Sequence, residues 1–179
     1  HSMPQRARAG LGRTFQITSI IPGFSVLENV ALAAQAKDGS SFRFLGRAAF
    51  ERDLNDRAQA ALATLGLSHR AYVRSADLSH GEHRLLELAM AIVGEPRALL
   101  LDEPMAGMGK GEGAALTETL LTLKKQMPML LIEHDMEAVF KLADRISVLA
   151  YGQIVATGTP DAVRADEKAR AAYLGSDAA

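Results

Sequence analysis

Two short apolar runs constrain this chain more than any other feature. Ala98-Leu99-Leu100-Leu101 runs straight into Asp102-Glu103-Pro104, and Met129-Leu130-Leu131-Ile132 runs into Glu133-His134-Asp135. Uninterrupted apolar runs of this length read as strands buried on both faces, as in parallel sheets. Leu116–Leu123 between them has a helical pattern, and so does Met136–Leu142 after them. Strand, helix, strand, helix is the alternation of an α/β fold. Ligand sites in open α/β sheets lie outside the carboxyl ends of the strands, where both runs deliver polar and ionisable groups.

The flanking sequence reads as follows. Residues 1–3 have the look of a tag scar, 4–12 of a polar, Gly-rich loop entry, and Arg13–Gln16 of a short β-prone run; Pro22-Gly23 signals a turn. Ser25 stands three residues before Glu28, a capping box that predicts a helix through about Gln35. A Gly/Ser-rich stretch over 36–46 precedes a helical pattern at Arg47–Leu65, ended by Gly66. Ser79–Val93 predicts another helix, Arg145–Ala150 and Gln153–Thr157 two strands around Tyr151-Gly152, and Asp161–Tyr173 an alanine-rich helix. The segments are therefore 4–24, a mostly helical 25–95, and an α/β 96–179.

Composition narrows the function. With 20 basic and 21 acidic residues the net charge is -1, so electrostatics does not draw the chain to nucleic acid or an acidic membrane. It has no cysteine, which excludes disulfides and thiolate metal sites. Its apolar runs fall far short of the ~20 residues of a spanning helix.

Four groups of residues can carry chemistry. Asp102 can hold Mg2+, directly or through water, because Mg2+ takes hard oxygen ligands and keeps several waters. Glu103 can orient or deprotonate an attacking water; the plainer reading of both is a strand end with solvated acids. His134 can donate a hydrogen bond to a phosphate oxygen, or simply cap a helix. Leu78-Ser79-His80-Gly81-Glu82 opens a helix with a good N-cap and a glycine. A helix N-terminus favours phosphate, although Ser79 with Glu82 also satisfies a plain capping box. Gln16, after an apolar run, means nothing alone.

In order, Gln16, LSHGE at 78–82, LLLDEP at 99–104 and IEHD at 132–135 resemble the Q-loop, signature motif, Walker B motif and switch histidine of ABC transporter nucleotide-binding domains. GRTFQ at 12–16, SVLENV at 25–30, DEPMAGMG at 102–109, EHDM at 133–136 and YGQIVATGTP at 151–160 look like the ATPases of branched-chain amino-acid importers, or of the similar urea importers. The resemblance implies a P-loop NTPase-like α/β fold, mainly a parallel sheet flanked by helices, with an α-helical subdomain over 25–95 ending in the signature helix. It implies ATP and Mg2+ as cofactors, with Asp102 and Gln16 toward Mg2+, Glu103 polarising water and His134 on the γ-phosphate. Ser79, His80, Gly81 and Glu82 would face ATP held by the other subunit of a dimer. The implied partners are a second ATPase subunit, integral membrane permease subunits and, indirectly, a periplasmic solute-binding protein, with no nucleic acid. The implied location is peripheral, on the cytoplasmic face of a bacterial inner membrane.

The departures are specific. A P-loop reads GxxxxGK[ST], whose backbone N–H groups and Lys cradle phosphates. Lys110 follows Gly109, but Gly111 stands where Ser or Thr is needed and Pro104 where the first glycine is needed; no other lysine follows a glycine. The resemblance then implies a truncated, C-terminal part of such a subunit that does not hydrolyse ATP alone. The alternative is a catalytically dead ABC-domain fragment acting only in dimerisation or docking. A non-transport ABC protein fits less well, since 25–78 is of transporter size. LSHGE replaces LSGGQ, and Gly109 sits where many D-loops carry Asp. The resemblance also implies a P-loop strand beside Ala98–Leu101. Without it, that strand would lose a neighbour, and self-association, strand exchange or the 4–16 segment would fill the gap. Ile20, Ile21 and Phe24 suit a docking groove for a permease helix, or subdomain core.

Overall fold

The computed structural model describes residues 5–6, 9–14, 20–37 and 48–174, with the side chains of all of these except 48–51 and 173–174. Gln16, residues 1–3 and most of the Gly/Ser-rich 36–46 stretch lie outside the described residues. The chain divides into two compact units, His1–Ile132 and Glu133–Ala179.

In the first unit, β1 (Leu11–Arg13), β2 (Ala98–Asp102) and β3 (Met129–Ile132) form a parallel sheet in the order β1-β2-β3. Leu11 pairs with Ala98, and Leu99 with Met129. The sheet is accompanied by α1 (Val26–Lys37), α2 (Ala48–Thr64), α3 (His80–Ile92) and α4 (Lys110–Lys124). This is the expected α/β class. The core draws on Val26 and Val30 of α1, Leu62 of α2, Leu86 of α3, Leu99 and Leu101 of β2, and Leu120 and Leu123 of α4, none more than 2% exposed.

Of the three outcomes expected beside Ala98–Leu101, the third is found: within the 4–16 segment, Leu11–Arg13 fills the position and makes that strand central, although Leu11 and Gly12 were expected to be loop. The less covered strand is β3. Leu130 and Ile132 are 62% and 56% exposed, so its apolar run is not buried on both faces. A run of four apolar residues reveals strand, but not how many of its faces are covered.

Local chemistry explains the helix starts. Ser25 and Glu28 form the expected box: Ser25 N–H donates to Glu28 Oε2 (2.7 Å) and Glu28 N–H to Ser25 Oγ (3.2 Å). A turn at Ile21–Phe24, closed by Phe24 N–H on the Ile21 carbonyl (3.1 Å), carries Pro22-Gly23. Gly66, at φ +68°, ends α2 as its position predicted.

The second unit holds α5 (Met136–Leu142), an antiparallel hairpin of β4 (Ile146–Ala150) and β5 (Gln153–Gly158), α6 (Pro160–Ala165) and α7 (Glu167–Leu174). The hairpin turns on Tyr151-Gly152 with φ of +51° and +76°, the sign that two-residue type I′ turns require. Ile146, Val163 and Ala169 form its core, with Val139, Phe140 and Val148 packed against them. The single helix expected over Asp161–Tyr173 is instead two. Asp166 is extended (ψ 121°), and its carboxylate accepts from Ala169 N–H (2.8 Å), starting a new helix as an N-cap.

Candidate functional site

Parallel pairing brings Arg13 and Asp102 to the same end of the sheet. Arg13 lies opposite Leu100, and its guanidinium stands 4.0 Å from the Asp102 carboxylate. Asp102 is partly exposed at the carboxyl end of β2. A single reachable carboxylate fits Mg2+, which is commonly held by one or two protein carboxylates plus waters and substrate phosphates. Among the described residues no group of three or more His, Cys, Asp and Glu could hold a metal alone.

Glu103 follows at φ +46°. A non-glycine residue in the left-handed region is strained, and such strain is enriched at functional sites. Its N–H donates to the Ile132 carbonyl of β3 (2.9 Å), and its own carbonyl accepts from Ala106 N–H (3.1 Å). The backbone therefore turns out of the strand at this carboxylate. The turn continues through Met105, which is buried and accepts a long contact from Thr117 Oγ1 (3.9 Å) on α4.

The start of α3 lies against this turn. Ser79 and Glu82 form a full capping box: Glu82 N–H donates to Ser79 Oγ (3.2 Å) and Ser79 N–H to Glu82 Oε2 (2.8 Å). Arg70 adds a two-pronged pair, Nε to Oε1 at 2.6 Å and Nη2 to Oε2 at 3.2 Å. That charge-assisted fork is the main reason the Glu82 carboxyl is held at about 2, below its ordinary 4.5, with the Ser79 contacts adding to it against the opposing effect of burial. The Glu82 carboxylate is thus spent on structure. The His80 ring turns away from its helix, with Nε2 3.2 Å from the Ala106 carbonyl. Gly81 meets Glu112 of α4 so closely that a Cβ there would lie 2.6 Å from Glu112 Oε1.

His134 belongs to the second unit. Its backbone N–H donates to Glu133 Oε2 (3.1 Å), and its ring is 75% exposed. The helix that follows is capped by Asp135, which accepts from Glu137 and Ala138 N–H. His134 is therefore not the helix cap.

Sequence reasoning passed over Asn29. Its side chain is 1% exposed and makes four hydrogen bonds: its Oδ1 accepts from Ile21 N–H (2.8 Å), and its Nδ2 donates to the Ile21 and Ser25 carbonyls and to Ser75 Oγ (2.7 Å). It fixes the segment from Ile21 to Ser25. The only signal was a polar residue on the apolar side of a helix, which is weak by itself.

Strand-end carboxylates beside a capped helix start, all on a parallel α/β sheet, define a domain of the kind that handles phosphate chemistry. A family model described as ABC transporter matches residues 2–106, and one described as branched-chain amino acid ATP-binding cassette transporter matches residues 153–179. This chain belongs to the ABC transporter ATP-binding family. The high-affinity branched-chain amino acid transport ATP-binding protein LivG of Salmonella typhimurium is 38% identical over an alignment of 178 positions that covers 96% of this chain and 70% of that protein. The lipopolysaccharide export system ATP-binding protein LptB of Escherichia coli K12 is 30% identical, covering 96% of this chain and 68% of that protein. Among solved structures, the ADP conformation of MJ1267, an ATP-binding cassette of an ABC transporter, superposes with a TM-score of 0.78 at 27% identity, covering 96% of this chain and 70% of that one.

Proposed function

We propose that this chain is a C-terminal part of the ATP-binding subunit of an importer for branched-chain amino acids or a closely related small solute, a subunit that couples ATP hydrolysis to transport at the cytoplasmic face of the inner membrane, and that the chain does not hydrolyse ATP alone. The observation that carries the reading is the juxtaposition of Ser79–Glu82 at the start of α3 with the turn that leaves Asp102-Glu103, in a chain whose residues 153–179 match the branched-chain amino acid family model. No helix among the described residues is long and apolar enough to cross a membrane; permease subunits are the proposed membrane partners. Ile21 and Phe24, 37% and 41% exposed, together with Ile20 are the proposed docking residues.

When bound, Mg-ATP supplies the γ-phosphoryl group and the metal that screens its charge. Asp102 and Gln16 are the residues that would hold the metal. Glu103 would orient or deprotonate the attacking water. His134 would donate a hydrogen bond to the γ-phosphate. The Ser79–Glu82 turn would form the face offered to ATP on a second ATPase subunit, with Ser79 and Gly81 bringing hydroxyl and backbone close while the Glu82 carboxylate and the His80 ring hold the turn in place. In segment terms, 4–24 is the Q-loop segment, 25–95 the helical subdomain, and 96–179 the α/β core with Walker B, D-loop and switch histidine.

A second reading is favoured by one observation, the lack of any GxxxxGK[ST] in these 179 residues. On that reading the chain is a catalytically dead ABC-domain fragment that acts only by dimerising or docking. Glu103→Gln in the ATP-binding subunit of the assembled transporter separates the two. We expect hydrolysis and leucine uptake to fall by about 100-fold or more. Unchanged hydrolysis and uptake would reject the catalytic assignment.

A further inference from the structure

His80 sits in the motif assigned to the partner's nucleotide, yet its ring addresses its own subunit. Its Nε2 lies 3.2 Å from the Ala106 carbonyl. A carbonyl only accepts, so Nε2 must carry the proton. Across the loop, Gly107 has φ +76°, and a Cβ there would fall 2.6 Å from that same Nε2. The ring fits because position 107 is a glycine. Two more contacts bind the same loop. Met105 is buried against Thr117 of α4. Gly109 N–H donates to Glu112 Oε2 (3.1 Å), and the Glu112 carboxylate abuts Gly81. The Ala106 N–H bonds the Glu103 carbonyl, so the peptide next to the one His80 grips is tied to the strained carboxylate residue.

We propose that His80 is a positioning residue whose ring clasps the Met105–Gly109 loop to the start of α3, so that the motif offered to the partner's nucleotide and the Asp102-Glu103 strand end move as one body. A glycine at position 80 could not make this bond, because it has no side chain. The functional half of the proposal rests on the reading above, in which α3 faces a nucleotide on a second subunit. The clasp itself does not.

Two experiments separate these halves. The first is a double-mutant cycle on the folding stability of this chain, with His80→Ala, Gly107→Ala and both together. Gly107→Ala carries the strain of positive φ in either background, but only with His80 present does it also expel the ring. We expect Gly107→Ala to lower the folding equilibrium constant roughly threefold more with His80 than without it. Equal costs in the two backgrounds would overturn the clasp. The second is ATP hydrolysis by the assembled transporter. We expect His80→Ala to lower kcat about fivefold with little change in KM, and His80→Gln, whose amide can still donate to Ala106, to recover most of it. A raised KM with unchanged kcat, or a Gln variant no better than Ala, would overturn the positioning role. Absence of hydrolysis by the unmutated transporter would instead remove the functional reading, while the cycle still decides the clasp.

Discussion

The chain uses one local motif twice, and its two copies are embedded differently. Ser25 with Glu28 and Ser79 with Glu82 make the same capping box, with bond lengths that agree within about 0.1 Å. At the first, Glu28 is exposed, and Ser25 is what lowers its carboxyl pKa. The long-range restraint there is uncharged: a backbone bridge from Ser25 to Arg74, backbone bonds from Val26 and Leu27 to the Val73 and Ala71 carbonyls, and the Asn29 side chain on Ser75 and the Ile21 backbone. At the second, restraint converges on the cap itself, from Arg70 on Glu82, Glu112 against Gly81, and His80 on Ala106. A capping box by itself only starts a helix. Distant backbone contacts hold both caps; what sets the second apart is that distant side chains meet the cap residues themselves, Arg70 on Glu82 and Glu112 against Gly81, while the His80 ring reaches the Ala106 carbonyl.

Three substitutions sharpen this contrast. The largest effect belongs to Asn29→Ala, which strands buried partners at Ile21 and Ser75. Chemical denaturation should show a loss of about 3 kcal/mol, since unsatisfied buried polar groups cost about 1–3 kcal/mol each. A loss below about 1 kcal/mol would mean that water repairs the site.

Next comes Glu82→Gln, with an expected loss of about 1–2 kcal/mol near neutral pH, discounted for partial exposure. Its pH dependence has a definite sign. Because folding depresses the Glu82 carboxyl from 4.5 to about 2, its stabilisation is fully present above pH 4.5. It fades as pH falls toward 2. The gap in stability between the parent and Glu82→Gln should therefore be flat above pH 4.5 and close below it. A gap that changes between pH 5 and 8 would assign the effect to another group.

The smallest effect belongs to Glu28→Gln. Its carboxyl is also depressed, by Ser25, but it is solvent-exposed and, among the described residues, has no long-range charge partner of the Arg70 kind. Its shift in melting temperature should be clearly smaller than that of Glu82→Gln. Equal shifts would erase the distinction between the two caps.

Elements with local signals were legible in the sequence. Both boxes, the Gly66 stop, the Tyr151-Gly152 turn and the bounds of β3 and α5 follow from residues within a few positions of one another. What was not legible depends on distant partners. The place of Ala98–Asp102 between two strands is set by pairing with Leu11–Arg13, nearly ninety residues away, and three residues carry too little pattern to announce a strand. The split between α6 and α7 turns on Asp166, one residue in an otherwise helical composition. The site residues were legible as a set, but not their partners. Arg13 beside Asp102, Arg70 on Glu82 and Glu112 against Gly81 join residues whose spacing carries no periodic signal.

On the proposed function, this chain holds the strand-end carboxylates and the face offered to a second subunit, while its 179 residues contain no GxxxxGK[ST] phosphate cradle. The direct test is a calorimetric titration of these 179 residues with Mg-ATP. The account predicts no binding heat up to millimolar nucleotide. Saturable binding would contradict it, because some other group in the chain would then be performing the task of the P-loop.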